Sequence, residues 1–382
     1  MRVGIDYNPA LNQGGGIGRY TRSLFEAVIR QDQDDEFVVY FNYERGSRPP
    51  TLFPGARNVL ERPLAIPDRW ATIVWHRLRV PLPIDVVTGP VDVFHFPDFV
   101  IPPVRHGKTV VTVHDLSFLL HPETADERLR AYLERAVPQA VRRADFIVVD
   151  SANTENDLIV LLDVDPERIA VVYPAVDQRF RPVDDGAVLG AIRHKYNLNF
   201  PFILSLSVIE PRKNLPRLFE AYVRLKRDLG IPHRLVIGGG LGWMYESVFQ
   251  AVEDLSLGES IVFLGRVPDE DLPALYNLAD VFVYPSLYEG FGIPPLEAMA
   301  CGTPVVTSNS SSLPEAVGDA GLMARPTDVD AIAEAIAQVL TNATLREDLS
   351  RRGIERARLF TWEASAEKVL GIYRRLVDGK GR

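Results

Sequence analysis

At 382 residues the chain is long for a single core and suits two domains of about 150 to 200 residues, and its 46% hydrophobic and 24% charged content excludes a disordered polypeptide. A formal charge of -9 excludes a general nucleic-acid binder, because affinity for a phosphate backbone needs a basic surface; any anionic ligand must be met by a few placed cations. The single cysteine, Cys301, excludes an intramolecular disulfide and a multi-cysteine metal site and fits packing in a reducing cytoplasm.

Short β-rich runs alternate with amphipathic segments, the pattern of βα units that build parallel sheets. The first half supplies VGIDY (3–7), FVVYF (37–41), VDVFHF (91–96), TVVTV (109–113), FIVVD (146–150) and IAVVY (169–173). Helical spacing runs over 17–30, 127–142 and 152–162, the last with Ser151 as its N-cap. Residues 173–186, YPAVDQRFRPVDDG, carry prolines and aspartates without periodicity and mark an interdomain linker, with a boundary near 180. The series restarts with FILSLSV (202–208), RLVIGGG (234–240), IVFLG (261–265), DVFVYP (280–285) and TPVVTS (303–308), and a last amphipathic helix follows Thr361. No basic, apolar leader precedes the first strand and no window approaches 18 uninterrupted apolar residues, so a cytoplasmic protein without a transmembrane helix is expected.

Ligands of open parallel sheets sit beyond the carboxyl ends of the strands, which makes the residues after each strand the first candidates. NQGGGIGRYTRSLFEAV (12–28) brings four glycines ahead of a helix. It departs from G-x-G-x-x-G, since Arg19 stands in the third glycine's place; this weakens a nicotinamide-cofactor reading and leaves either a plain turn or a loop whose amides approach a phosphate or an acceptor. DRWATIVWHRLRV (68–80) reads as a surface helix, although its two tryptophans and three arginines would also suit a membrane surface or a lipid-linked acceptor. HFPDF (95–99) reads as core and turn, and His114 is either a partner for a substrate hydroxyl or a satisfied structural histidine.

In the second half, SVIEPRKNLPRLFEAY (207–222) sets Arg212 and Lys213 at a strand end, where two cations can neutralise charge on a departing diphosphate. Asn214 is expected to cap the following helix. YEGFGIPPLEAM follows DVFVYPS: Gly290 and Gly292 let amides approach a ligand, and Pro294 or Pro295 suits the first turn of a helix whose positive end faces the same space. Two carboxylates would repel a phosphate, so Glu289 and Glu297 must face hydroxyl donors on either side of it, such as sugar hydroxyls and the vicinal pair of a ribose. Taken singly, these residues also fit a solvated turn and a helix-start glutamate. Zinc-type spacings, a G-x-S-x-G elbow and a Walker sequence do not occur.

Together the motifs resemble the retaining family 4 glycosyltransferases over nearly the whole chain. The resemblance is carried by Glu289 and Glu297 (E-x7-E) in YPSLYEGFGIPPLEAMACGTPVVTS, by EPRKNL, by FLGRVPDEDLPALYNLADVFVYPS and by SSLPEAVGDAG. It implies an α/β GT-B fold: two Rossmann-like domains whose parallel sheets face each other across a cleft. Residues 1–178 with 362–382 would form the acceptor-side domain, and 179–361 the domain for the nucleotide sugar. It further implies that Glu289 meets the donor hexose, that amides of Gly290, Phe291, Gly292 and Ile293 hold the diphosphate, and that Glu297 takes the ribose. Arg212 and Lys213 would bind the leaving diphosphate, Gly16 would belong to a mobile loop, His114 to the sugar pocket, and Gly265, Arg266 and Val267 to the nucleobase turn. Two departures stand out. Ser207 and Val208 occupy the place where many relatives carry an extra arginine, and Ala175 replaces a linker glycine.

The expected chemistry is metal-free, cofactor-free transfer of a hexose, mannose foremost, with retained configuration. The donor would be a nucleotide diphosphate sugar, GDP-mannose ahead of a UDP-sugar, and the acceptor a glycan or lipid-linked sugar, with peripheral membrane contact admitted and nucleic acid excluded. A non-catalytic sugar-nucleotide sensor or partner subunit, or an epimerase or phosphorylase of the same fold, is the alternative.

Overall fold

The computed structural model of the protein describes residues 1–44, 46–66, 82–99 and 101–379. Runs such as FVVYF and FILSL are apolar on both faces, so they are stable only as strands covered on both sides, and their residues are buried throughout. Seven strands form one parallel sheet: β1 (Arg2–Asp6), β2 (Glu36–Asn42), β3 (Val59–Leu64), β4 (Val93–Phe96), β5 (Lys108–Val113), β6 (Phe146–Val149) and β7 (Ile169–Val171), ordered β3-β2-β1-β4-β5-β6-β7. Six more form a second: β8 (Phe202–Leu206), β9 (Arg234–Gly238), β10 (Ile261–Gly265), β11 (Val281–Tyr284), β12 (Val305–Ser308) and β13 (Leu322–Ala324), ordered β10-β9-β8-β11-β12-β13.

Both orders reverse direction once, between β1 and β4 and between β8 and β11, the doubly wound arrangement of dinucleotide-binding sheets. The chain divides into two compact units, one of Met1–Leu116, Tyr132–Pro174 and the chain from Trp362 onward, the other of Ser117–Ala131 and Ala175–Thr361. Helices cover the sheets with single apolar stripes. Tyr20, Leu24, Phe25 and Val28 face inward from helix Gly16–Gln31, and Leu218, Phe219, Tyr222 and Leu225 from helix Leu215–Leu229.

The expected helices occur at Gly16–Gln31, Glu127–Arg143 and Ala152–Leu162, and Ser151 caps the last by accepting the Thr154 amide at 3.1 Å. Strands β3 and β13 went unrecognised in the sequence. The tryptophan-bearing segment 68–80 lies outside the described residues; among those described, no helix is long and apolar enough to cross a membrane.

The last helix, Trp362–Val377, packs within the first unit. Its Tyr373 hydroxyl is 2.6 Å from His95 Nδ1, whose Nε2 is 2.8 Å from Thr112 Oγ1, and Arg374 pairs with Asp32 at 2.7 Å. Burial, with the nearby charge of His114, pushes His95 down to about 3, so its ring is neutral and one nitrogen must accept. Tyr373→Phe would leave the buried Nδ1 without this partner and should cost about 1–3 kcal/mol in chemical denaturation.

Candidate active site

The loops that follow β8 and β11 leave adjacent strands at the reversal point of the second sheet, and the Leu287 amide joins them by donating to the Arg212 carbonyl at 2.9 Å. On the β8 side, Glu210 precedes a single 3-10 turn, Pro211–Lys213, which puts two consecutive cations on one short rigid segment. On the β11 side, Pro285–Gly292 leads into helix Ile293–Ala300.

Side chains of the two loops meet in a compact charge cluster. Lys213 Nζ donates to Glu289 Oε1 at 2.6 Å and to the Tyr284 hydroxyl at 3.1 Å. Arg212 spans two carboxylates, with Nη1 2.9 Å from Glu289 Oε2 and Nη2 2.8 Å from Glu210 Oε1, and Nη1 also reaches the Tyr288 carbonyl at 2.8 Å. Lys213 and Glu289 are each only 7% exposed. Burial alone would raise the Glu289 carboxyl, but Arg212 and Lys213 outweigh it and hold it at about 2. Lys213 is shifted the other way: burial and the Arg212 charge depress it, and Glu289 opposes them. Two cations this close stay charged only because two carboxylates sit between and beside them.

Glu289, expected to face sugar hydroxyls, therefore has both oxygens engaged by cations here. Glu297 lies in helix Ile293–Ala300, 2% exposed, with Oε2 accepting from the Tyr276 hydroxyl at 3.0 Å. The helix starts at Gly292 with no side-chain cap, and prolines fill its first turn. The approach to it is braced by serines: the single Ser312 Oγ proton is shared between the Glu289 and Phe291 carbonyls at 2.8 and 2.9 Å, Ser311 Oγ accepts the Glu289 amide at 2.9 Å, and Ser310 Oγ donates to the Leu287 carbonyl at 2.9 Å. These bonds satisfy carbonyls from the protein side. Gly292 sits at φ +113°, and a Cβ there would come within 2.7 Å of Leu313 Cδ2. Gly292→Ala should thus disturb the helix start and lower stability in urea denaturation by about 1–3 kcal/mol, the cost of strain of this kind.

Sequence reasoning missed Glu210, Tyr284 and the serines, although the run SNSSS directly after a strand is a visible signal. Asn214 needs correction. It occupies the N-cap position in a left-handed conformation, yet its side chain makes no cap bond; Nδ2 instead donates to the Pro285 and Pro326 carbonyls at 2.9 and 2.8 Å, tying three loops together. Of the residues expected at a nucleobase turn, Gly265 closes β10 at φ +65°, its carbonyl accepting the Gly239 amide at 2.7 Å, and Arg266 is exposed.

In the first unit, Gly16 begins helix Gly16–Gln31 rather than lying in a free loop, with open space where a Cβ would project. Gly18 permits close approach, since a Cβ would overlap the Gln13 carbonyl. His114 follows β5 with Nδ1 2.7 Å from Asp150 Oδ2 and Nε2 2.9 Å from the Pro97 carbonyl. Among the described residues, no group of three or more His, Cys, Asp or Glu side chains could hold a metal ion.

Two doubly wound parallel sheets, one carrying Arg212 and Lys213 at its reversal point, are the units from which a GT-B fold is built. The family model described as "Glycosyltransferase Family 4" matches residues 14–180, and "Glycosyl transferases group 1" matches 191–356. O-antigen chain mannosyltransferase B of Escherichia coli is 38% identical over 285 residues, 74% of each chain. The serotype-specific mannosyltransferase WbdA of Escherichia coli is 34% identical over 276 residues, 71% of this chain but 34% of that longer relative. The Anabaena HepE structure in complex with UDP and glucose superposes with a TM-score of 0.75 at 17% identity, covering 98% of this chain and 100% of that one. The chain belongs to the family 4 glycosyltransferases and has the GT-B fold.

Proposed function

We propose that the protein transfers a hexose, mannose foremost, from a nucleotide diphosphate sugar to a glycan or lipid-linked acceptor in the cytoplasm, without a metal ion and with the anomeric configuration retained. GDP-mannose is the favoured donor and a UDP-sugar the alternative. The mannosyltransferase relatives support the sugar, and the UDP and glucose bound in the HepE structure support the donor class.

The observation that carries the reading is the Arg212, Lys213 and Glu289 cluster beside an uncapped helix N-terminus. Lys213 has three N–H donors, and Glu289 and Tyr284 take two, so the third can meet a phosphate oxygen without breaking the pair. The helix end adds positive potential to the same spot. In the reaction, the bond from the donor's C1 to the diphosphate oxygen breaks and its electron pair stays on the diphosphate. The acceptor oxygen bonds C1 on the same face, and its proton passes to the leaving phosphate. Lys213 and Arg212 stabilise the charge that develops there, the role a metal would otherwise fill. Glu297 is assigned to the ribose, Glu289 to the hexose and to the fixing of the two cations, and the Gly265–Val267 turn to the base.

Thermal-shift screening against guanosine and uridine diphosphate sugars, followed by transfer assays with mannosylated acceptors and NMR of the product's anomeric proton, tests this. An α-linked product from an α-linked donor is expected. Binding without turnover across the acceptors would favour a sensor, and an inverted product would remove the proton path given above.

A further inference from the structure

The geometry of His114 and Asp150 fixes how many protons they hold. Nδ1 of His114 faces a carboxylate oxygen at 2.7 Å and Nε2 a carbonyl oxygen at 2.9 Å. A neutral imidazole has one donor and one acceptor nitrogen, so it can satisfy only one of two such oxygens; with both bonds made, the pair carries two protons. Asp150 follows β6 and directly precedes Ser151, the N-cap of helix Ala152–Leu162, whose positive end supports a carboxylate at that position. Asp150 Oδ1 is buried without a hydrogen-bond partner, so the His114 ring is the contact that neutralises this side chain.

The ring's other neighbours agree. Asp98, in the loop after β4, adds negative potential at the ring, whereas burial and Asp115 raise the Asp150 carboxyl and His114 opposes them. Tyr20 of helix Gly16–Gln31 presents its ring edge at 5.0 Å, and His95 on β4 is neutral. Burial would lower His114, but Asp150 and then Asp98 more than offset it, raising the imidazolium from 6.5 to about 9.

We propose that Asp150 is a positioning residue for sugar transfer: through Nδ1 it keeps His114 a fixed imidazolium at the carboxyl end of the first sheet, able to donate from Nε2 to a sugar hydroxyl that replaces the Pro97 carbonyl. Held this way, His114 cannot serve as a general base at neutral pH, and the acceptor's proton must leave by another path. The proposal rests on the assignment of His114 to the sugar pocket.

Two measurements test it. In the full-length protein with ring-labelled histidine, His114, assigned by its absence from His114→Asn, should titrate near pH 9. A midpoint in the ordinary range overturns the proposal, and this result does not depend on any donor being turned over. In the second, Asp150→Asn should melt lower than the wild type, since a buried pair is broken from one side, yet fold and bind nucleoside diphosphate as the wild type does. Its turnover at pH 8 should fall roughly 30-fold or more and rise again steadily as the pH is lowered, because without Asp150 burial leaves the ring below the ordinary histidine value and the protonated fraction falls about tenfold per pH unit above the midpoint. Asp150→Glu should restore part of the loss. A folded Asp150→Asn with the wild-type pH profile overturns the proposal. If that variant fails to fold, the wild-type profile decides: a decline centred near pH 9 supports it, and turnover that stays level through that range overturns it.

Discussion

Replacing Lys213 by alanine should lower turnover by roughly 10²–10³-fold while changing donor affinity far less. The ammonium sits on a one-turn 3-10 segment, clamped between Glu289 and Tyr284, so its position is set before any ligand arrives. A preorganised charge of this kind acts mainly on the state in which negative charge grows on the diphosphate. In the proposed binding mode the ground-state diphosphate also meets Arg212 and the helix amides, which the substitution leaves in place. Single-turnover kinetics alongside calorimetric titration of the donor separate the two effects. A loss confined to affinity would move Lys213 from transition-state stabilisation to plain binding.

The largest stability effect is expected from Glu289→Gln. The carboxylate holds the buried Lys213 and the half-buried Arg212 at once, and its removal leaves Arg212 with Glu210 and the Tyr288 carbonyl and Lys213 with only the Tyr284 hydroxyl. Breaking a buried pair from one side costs about 3–5 kcal/mol, because the remaining charge is left uncompensated. The same residue sets an acid limit. Its carboxyl is held at about 2, below the ordinary 4.5, and a depressed carboxyl contributes stability above its unfolded value that is lost as the pH falls through its folded value. Wild-type stability should therefore decline between about pH 4.5 and pH 2, and Glu289→Gln should lack this part of the decline in urea titrations. A variant as stable as the wild type at pH 7 would show that the cluster contributes nothing to the fold.

The interior strands were legible because residues such as Val38, Ile147, Leu204 and Phe282 are apolar in unbroken runs that only a two-sided sheet can bury. The two strands that escaped, β3 and β13, are both sheet edges. VLERPL carries a glutamate, an arginine and a proline, tolerable where only one neighbour must be bonded, and LMA is too short to register as a run. Arg212, Lys213, Glu289 and His114 were singled out as candidates because each stands past the end of a strand. Asn214 was misread because local rules favour a helix cap, while its amide is used by carbonyls 71 and 112 residues away. Glu210 and Asp150 also stand at strand ends, but nothing local marks a carboxylate whose partner is fixed by packing: Asp150 meets its histidine across 36 residues.

A crystal structure of the protein with its nucleotide sugar, or with the nucleoside diphosphate alone, tests the central claim most directly. The account predicts a pyrophosphate within hydrogen-bond distance of Lys213 Nζ and of the amides leading into Pro294, with the Glu289 to Lys213 contact still made. A pyrophosphate bound elsewhere on the chain, with Lys213 still engaged only by Glu289 and Tyr284, would contradict it.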